Sequence, residues 1–267
     1  MTNSDISLYY DELHRWTTRD QNFQTYSGFE NDTIHRFLID EETGEFSPET
    51  IYKLMTPMLP TGGITTALDA GCGYGGTCLY GASAWGGHWT GITISGEQLA
   101  QANGIVAARS LSDRIAYRQQ SFDDPLPDTY DLIVAIESLI HSTNPAETMR
   151  NLASALKPGG RLLIADDMPA DNLDTDAANY LDQFKQAWRC PVAPSAARWT
   201  EHAHDAGLQS IAEHDLSRLQ KPRPEPDLDA ALADLSSQRP DKARQGFARL
   251  SDAEIGGLHL ERLHGRG

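Results

Sequence analysis

Residues 68–76, Leu68-Asp69-Ala70-Gly71-Cys72-Gly73-Tyr74-Gly75-Gly76, have the types and spacing of a ligand cradle. Glycines stand at alternate positions 71, 73 and 75, and an acid precedes the first of them by two residues. Backbone with no Cβ in the way lets a nucleotide-bearing ligand approach closely. The spacing then selects among such ligands. A dinucleotide fingerprint has a three-residue step between its second and third glycines, and sets a pyrophosphate on a helix N-terminus. Here the step is two. The Asp69 carboxylate would repel pyrophosphate but suits a cation. A second pair, Glu137 and His141, follows the apolar run 130–136 and offers a carboxylate and an imidazole, the two side chains most used to accept a proton.

The elements that must position these groups alternate. Residues 64–68 read as a strand and 77–85 as a helix, with the glycine turn between them. Residues 89–94 form a short β-rich run, and Ser95 with Gln98 reads as a capping box opening a helix over 99–109. Residues 114–119 read as a third strand. The nearly continuous apolar run 130–136 fits a central parallel strand covered on both faces. A helix over 146–156, a Lys157-Pro158-Gly159-Gly160 turn and a fifth strand over 161–166 follow. The expected fold is α/β: a doubly wound, Rossmann-like, mostly parallel sheet with helices on both faces, an N-terminal helical cap and a helical lid insertion. In such sheets ligands bind beyond the carboxyl ends of the strands, so the residues just after each strand are the site candidates.

At those strand ends the chain resembles the class I S-adenosylmethionine (SAM) methyltransferases. The 68–76 segment is similar to their first motif. The run 91–98, Gly-Ile-Thr-Ile-Ser-Gly-Glu-Gln, looks like the second motif of the cyclopropane fatty acid synthase, tocopherol and sterol C-methyltransferase group. Ile136-Glu137 with His141 looks most like the sterol enzymes, and 157–161 matches the loop before strand five. The resemblance spans about residues 64–166. It implies SAM as cofactor, with S-adenosylhomocysteine as product, held by Asp69, Gly71, Cys72 and Gly73. Most relatives place an acid after strand two to hold the ribose; this chain has Thr93-Ile94-Ser95, so Thr93, Ile94 and Gln98 are its ribose candidates. Ser121 and Phe122 occupy the adenine position. Thr25-Tyr26-Ser27 resembles a segment that packs over the methionine part of SAM, so Tyr26 and Ser27 join the cofactor candidates, as does Glu137. Aromatic faces attract a sulfonium without offering a nucleophile. Tyr9, Tyr10 and Trp16 are read either as such a wall or as packing for the cap.

Three units follow: a cap over 1–60, a core over 61–220 with its lid at about 167–207, and a helical tail over 221–267. In the lid, Tyr180, Phe184 and Trp188 share one helix face and read as core more than as substrate contacts. A helix over 195–206 and a sixth strand over 208–216 should come next; no seventh strand is legible after Leu219. Net charge is −16, with no basic block, which argues against nucleic acid as partner. No apolar run approaches the ~20 residues of a membrane span. A polar first ten residues without a signal core makes the cytoplasm the expected compartment. Cys72, Cys78 and Cys190 lack metal-ligand spacing and are expected as free thiols, with no metal site. An acidic chain with an irregular tail could form a homodimer.

The expected activity is methyl transfer to a small-molecule acceptor. In the first reading the acceptor is an isoprenoid or prenyl-diphosphate-like alkene, methylated at carbon, with Glu137 removing a proton and Arg36, Lys185, Arg189 and Arg198 available to a diphosphate. In the second, an oxygen or nitrogen of a natural product or amine is methylated with His141 as base. A non-catalytic SAM-binding protein is the third. A dehydrogenase would need the longer glycine step and an acid after strand two, and both are missing.

Overall fold

The computed structural model describes residues 1–17, 32–220 and 225–244. Helix α1 (Asn3–Thr17) opens the chain, followed by a two-residue hairpin ladder of β1 (Leu38–Ile39) with β2 (Phe46–Ser47) and a short helix α2 (Thr50–Met55). The main body alternates β3 (Thr66–Ala70), α3 (Gly76–Ala84), β4 (His88–Thr93), α4 (Gly96–Ala108), β5 (Ile115–Gln119), β6 (Tyr130–Ile136), α5 (Pro145–Ser154) and β7 (Leu156–Ala165). Two further helices, α6 (Thr175–Trp188) and α7 (Ala196–Asp205), come after the sheet, and α8 (Glu225–Arg244) ends the described chain.

The five strands β3 to β7 are all parallel and run β5-β4-β3-β6-β7 across the sheet. The chain leaves β3 toward β4 on one side and later returns to lay β6 on the other. The strand order therefore reverses between β3 and β6, which opens a crevice at their carboxyl ends. The glycine turn follows β3 and Glu137 follows β6, so both groups singled out by residue type flank that crevice. Leu132, Ile133, Val134 and Ala135 of β6 are fully buried, as a strand covered on both faces must be.

Helix starts are set by side-chain caps. Ser95, Asn144, Asp174 and Ser195 each accept a hydrogen bond from the backbone N–H three residues on; each such cap stabilises by about 1 kcal/mol. Ser95 caps α4 as expected, but Gln98 does not complete a capping box: its Oε1 accepts instead from Thr93 Oγ1 at 2.7 Å. Helix α1 buries Ile6 and Tyr9 and is fastened across the strand ends. Ser7 Oγ donates to the Ile94 carbonyl at 2.9 Å, Ser95 Oγ donates to Asp11 at 2.5 Å, and Asn3 Nδ2 donates to Ser121 Oγ at 3.1 Å.

Two expectations fail. Residues 208–216 form no strand: none of them pairs with the sheet, and Ile211 is 72% exposed there. Strand β7 begins at Leu156, five residues before the expected start, so Lys157-Pro158-Gly159-Gly160 lies inside it. The pairing slips there, between Tyr130 and Leu132 of β6, and Gly159 takes φ +79°, so the Pro-Gly-Gly run makes an irregularity in the strand. In α6, Phe184 is buried against Ile140, Cys190 and Ala193, with Trp188 packed beside them, which is the core role expected of that face. All three cysteines are buried free thiols. Among the described residues, no helix is long and apolar enough to cross a membrane and no cluster of ligating side chains could hold a metal.

Candidate functional site

The glycine-turn side of the crevice is built from backbone and close packing. Gly71 adopts φ +101°, and a Cβ on it would lie 2.4 Å from Ser138 Cβ; Gly75 adopts φ +91°, and its Cβ would lie 2.0 Å from the Tyr117 hydroxyl. Only glycine fits at either place. The Gly71 and Cys72 amides both donate to the Ile92 carbonyl, at 3.0 and 2.9 Å, which ties the turn to the next strand. Asp69 beneath the turn is 2% exposed, and burial pushes its carboxyl up to about 7, against hydrogen bonds from Thr77 and Cys78. A cation nearby would return it to its charged form. Thr33 packs its methyl against Gly76 at the start of α3, and its Oγ1 is buried with no hydrogen-bond partner among the described residues. An orphaned hydroxyl beside a cradle that any side chain would fill fits a bound ligand with polar atoms of its own.

The remaining donor-side candidates gather at the ends of β4 and β5. Thr93 and Gln98 are buried and bonded to each other. The Ile94 carbonyl accepts from Ser7 Oγ and, at 3.1 Å, from Gln119 Nε2. Ser121 is buried, its hydroxyl accepting from Asn3 and, at 3.0 Å, from the Asp123 amide, while Phe122 packs on the core beside it. Tyr26 and Ser27 lie outside the described residues.

The side that follows β6 and β7 is built from side chains that converge from distant positions. Glu137 takes φ +47°, unusual for a non-glycine residue, while its amide donates to the Ala165 carbonyl at 2.7 Å. Its carboxylate accepts from the Arg36 backbone amide at 2.9 Å, with Arg36 Nε 3.8 Å away. Arg36 forks onto Asp167 at 2.7 and 2.5 Å. Burial works against the Arg36 charge, but Glu137 and Asp167 hold the guanidinium firmly protonated. Asp166 accepts from the amides of Ser138 (3.1 Å), Ile140 (3.0 Å) and Asp167 (2.9 Å). Burial, with repulsion from Asp167, pushes it up to about 8 despite those donors. Ser138 Oγ donates to the Ala70 carbonyl at 2.6 Å, joining the two sides across the crevice.

His141 is 7% exposed on the short turn after β6. Burial lowers its pKa to about 4, so it is neutral at physiological pH. Tyr10 Oη lies 2.6 Å from its Nε2. The other cations considered for a diphosphate do not gather here. Lys185 pairs with Asp182 at 3.9 Å, Arg189 donates to the Gln186 carbonyl at 2.8 Å, and Arg198 pairs with Glu201. A cavity of ≈ 620 Å³ lies behind the lid between Pro145, Leu181, Ala193 and Arg198, and neither the glycine turn nor His141 lines it.

A buried acid under an alternate-glycine turn, across a switch point from a carboxylate and a neutral imidazole, is what comparison with known proteins explains. Residues 20–213 match the family model described as a methyltransferase domain. The chain belongs to this family. It is a SAM-dependent methyltransferase acting with SAM as cofactor. The methyltransferase is 27% identical over 219 residues, 80% of each chain, to the O-methyltransferase resE of Aspergillus sclerotiorum. It is 36% identical to the chloroplastic tocopherol O-methyltransferase of Arabidopsis thaliana over 162 residues, 58% of this chain and 47% of that one. Its fold is similar to mycolic acid cyclopropane synthase CmaA1, solved with S-adenosylhomocysteine, with TM-score 0.71 and 17% identity over 98% of this chain and 94% of that one.

Residue types had placed Asp69, the glycines, Glu137 and His141 at the crevice. Asp166 and Asp167 were passed over, although they directly follow a strand and meet the same positional rule as Glu137. The sequence offers Arg36 only as one of four cations available to a diphosphate, and Thr33 carries no signal in it at all.

Proposed function

We propose that this methyltransferase acts on oxygen, at a hydroxyl of a small natural-product-like acceptor, with His141 as general base. SAM, when bound, supplies the activated methyl group that the acceptor displaces from sulfur. The observation that carries the reading is the placement of His141, on the short turn after β6 whose Ser138 bonds back to the Ala70 carbonyl beside the glycine turn, with Tyr10 Oη 2.6 Å from its Nε2. Neutral imidazole can take the hydroxyl proton as the oxygen becomes a nucleophile, a contribution of typically 10²–10⁴-fold. The two curated relatives described above are both named O-methyltransferases, which supports oxygen over carbon. Glu137, the base expected for an alkene acceptor, already receives the Arg36 amide and faces its guanidinium. That arrangement suits an anchor for the segment around Arg36 more than a group that must gain a proton. The candidate cations for a diphosphate are dispersed and paired, which weakens the prenyl-diphosphate reading in the same direction. The cap over 1–60, including α1, would then close the donor side.

A screen settles the choice: phenols, alcohols, amines, sterol-like alkenes and prenyl diphosphates are offered with SAM, and products are read by mass. A methyl ether is expected, with the rate falling at least about 10²-fold in His141→Ala and much less in Glu137→Gln. A carbon-methylated product whose formation stops in Glu137→Gln would overturn the oxygen reading.

A further inference from the structure

Helix α1 reaches the acceptor side through one side chain. Tyr10 and His141 meet edge-on, ring centroids 5.3 Å apart at 83°, with the hydroxyl 2.6 Å from Nε2. The other ring nitrogen, Nδ1, faces the Arg189 carbonyl at 3.4 Å and Cys190 Sγ at 4.0 Å. A carbonyl can only accept, so Nδ1 carries the hydrogen. Nε2 then holds the lone pair, and Tyr10 donates to it. Both nitrogens of the base are engaged. His141 is buried and Tyr10 is half-buried, with its hydroxyl enclosed against the imidazole. An acceptor hydroxyl cannot reach Nε2 while Tyr10 holds it.

We propose that Tyr10 is a catalytic residue that relays the acceptor's proton to His141. The acceptor O–H bond breaks and a new O–H bond forms on Tyr10 Oη. In the same step the original Tyr10 O–H breaks, and its proton bonds to His141 Nε2. The oxygen's freed electron pair forms the bond to the methyl carbon, and the pair of the broken carbon–sulfur bond stays on sulfur. One methyl group and one proton have moved, tyrosine ends as it began, and imidazole has become imidazolium. Burial, with Tyr9 and Cys190 adding to it, holds the Tyr10 phenol protonated well beyond its ordinary range, which suits a group that passes a proton through.

The same helix is docked by Asn3, Ser7 and Asp11 onto the ends of β4 and β5, where the cofactor candidates gather. The contacts that seat α1 there also hold Tyr10 against His141.

This inference rests on His141 as base, and the experiment separates the two. Single-turnover rates at saturating SAM, together with SAM affinity by calorimetry, are measured for Tyr10→Phe, His141→Ala and the double variant on the acceptor found by the screen. Each single variant should lose about 10²-fold in rate with SAM affinity kept within about twofold, and the double variant should be little slower than the slower single. The wild-type rate in mixtures of light and heavy water should curve, as two protons in flight require. Tyr10→Phe at near-full rate while His141→Ala stays slow overturns the relay and leaves the base. Both variants at near-full rate overturn the base itself. A Tyr10→Phe protein that loses SAM affinity along with rate, or a linear isotope plot, reduces Tyr10 to packing.

Discussion

The two sides of the crevice, donor and acceptor in the proposed function, are built by opposite means. The donor side is backbone: glycines with no space for a Cβ, amides tied to the neighbouring strand, an acid buried beneath them. The glycine turn and its acid lie within nine residues of sequence. The acceptor side is side chain: Tyr10, Arg36, Glu137, His141, Asp166 and Asp167 come from four separate stretches and hold one another by hydrogen bonds and charge. A backbone cradle accepts one ligand and resists change, because every substitution meets packed atoms. A side-chain network can be re-cut one residue at a time without disturbing the fold. Shared donor chemistry with diverse acceptors, as the relatives' names indicate, is what such a division allows.

The contrast can be broken most severely at Gly71. Gly71→Ala forces a Cβ against Ser138 and strains a positive φ; SAM affinity should fall at least about 100-fold, equivalent to about 3 kcal/mol, by calorimetry. Retained affinity would mean the cradle is less rigid than described. On the acceptor side, the pH dependence of kcat/KM sharpens the comparison. His141 has its pKa lowered to about 4, so the active neutral form persists as pH falls from 7 and is lost only through about pH 4. Below that the rate should drop about tenfold per unit, whereas an ordinary histidine would give a limb near 6.5. Next in size is the Arg36–Asp167 fork. A double-mutant cycle with Arg36→Gln and Asp167→Asn should give a coupling of about 1–3 kcal/mol in unfolding, since both groups are largely shielded and the contact is bidentate. The smallest effect is the control. Gly104 in α4 has ordinary φ and open space around it, so Gly104→Ala should stabilise by about 0.5–1 kcal/mol in a denaturant melt and leave SAM affinity unchanged.

The same division decides what the sequence could disclose. Strand β6 was legible because two-sided burial demands a nearly continuous apolar run, and the glycine turn because steric exclusion leaves a fixed spacing. Residues 208–216 misled because a few apolar residues make a strand only where a partner strand receives them, and Ile211 is exposed instead. The start of β7 misled because Pro-Gly-Gly reads as a break, while the sheet accommodates it as an irregularity. Glu137 and His141 were found by their place after a strand. Their partners were not, because Arg36 approaches across a hundred residues and nothing in residue type says that an arginine will close on Asp167. Tyr10 was legible only as an aromatic on a helix; its bond to His141 accompanies the fastening of α1 to the segments after β4 and β5 by polar contacts that no periodicity encodes.

The separation of donor from acceptor side is tested most directly by titrating SAM into Gly71→Ala and His141→Ala proteins side by side in a calorimeter. The account predicts that His141→Ala binds SAM within about twofold of the wild type while Gly71→Ala loses at least about 100-fold. Comparable losses in both, or normal binding by Gly71→Ala, would contradict it.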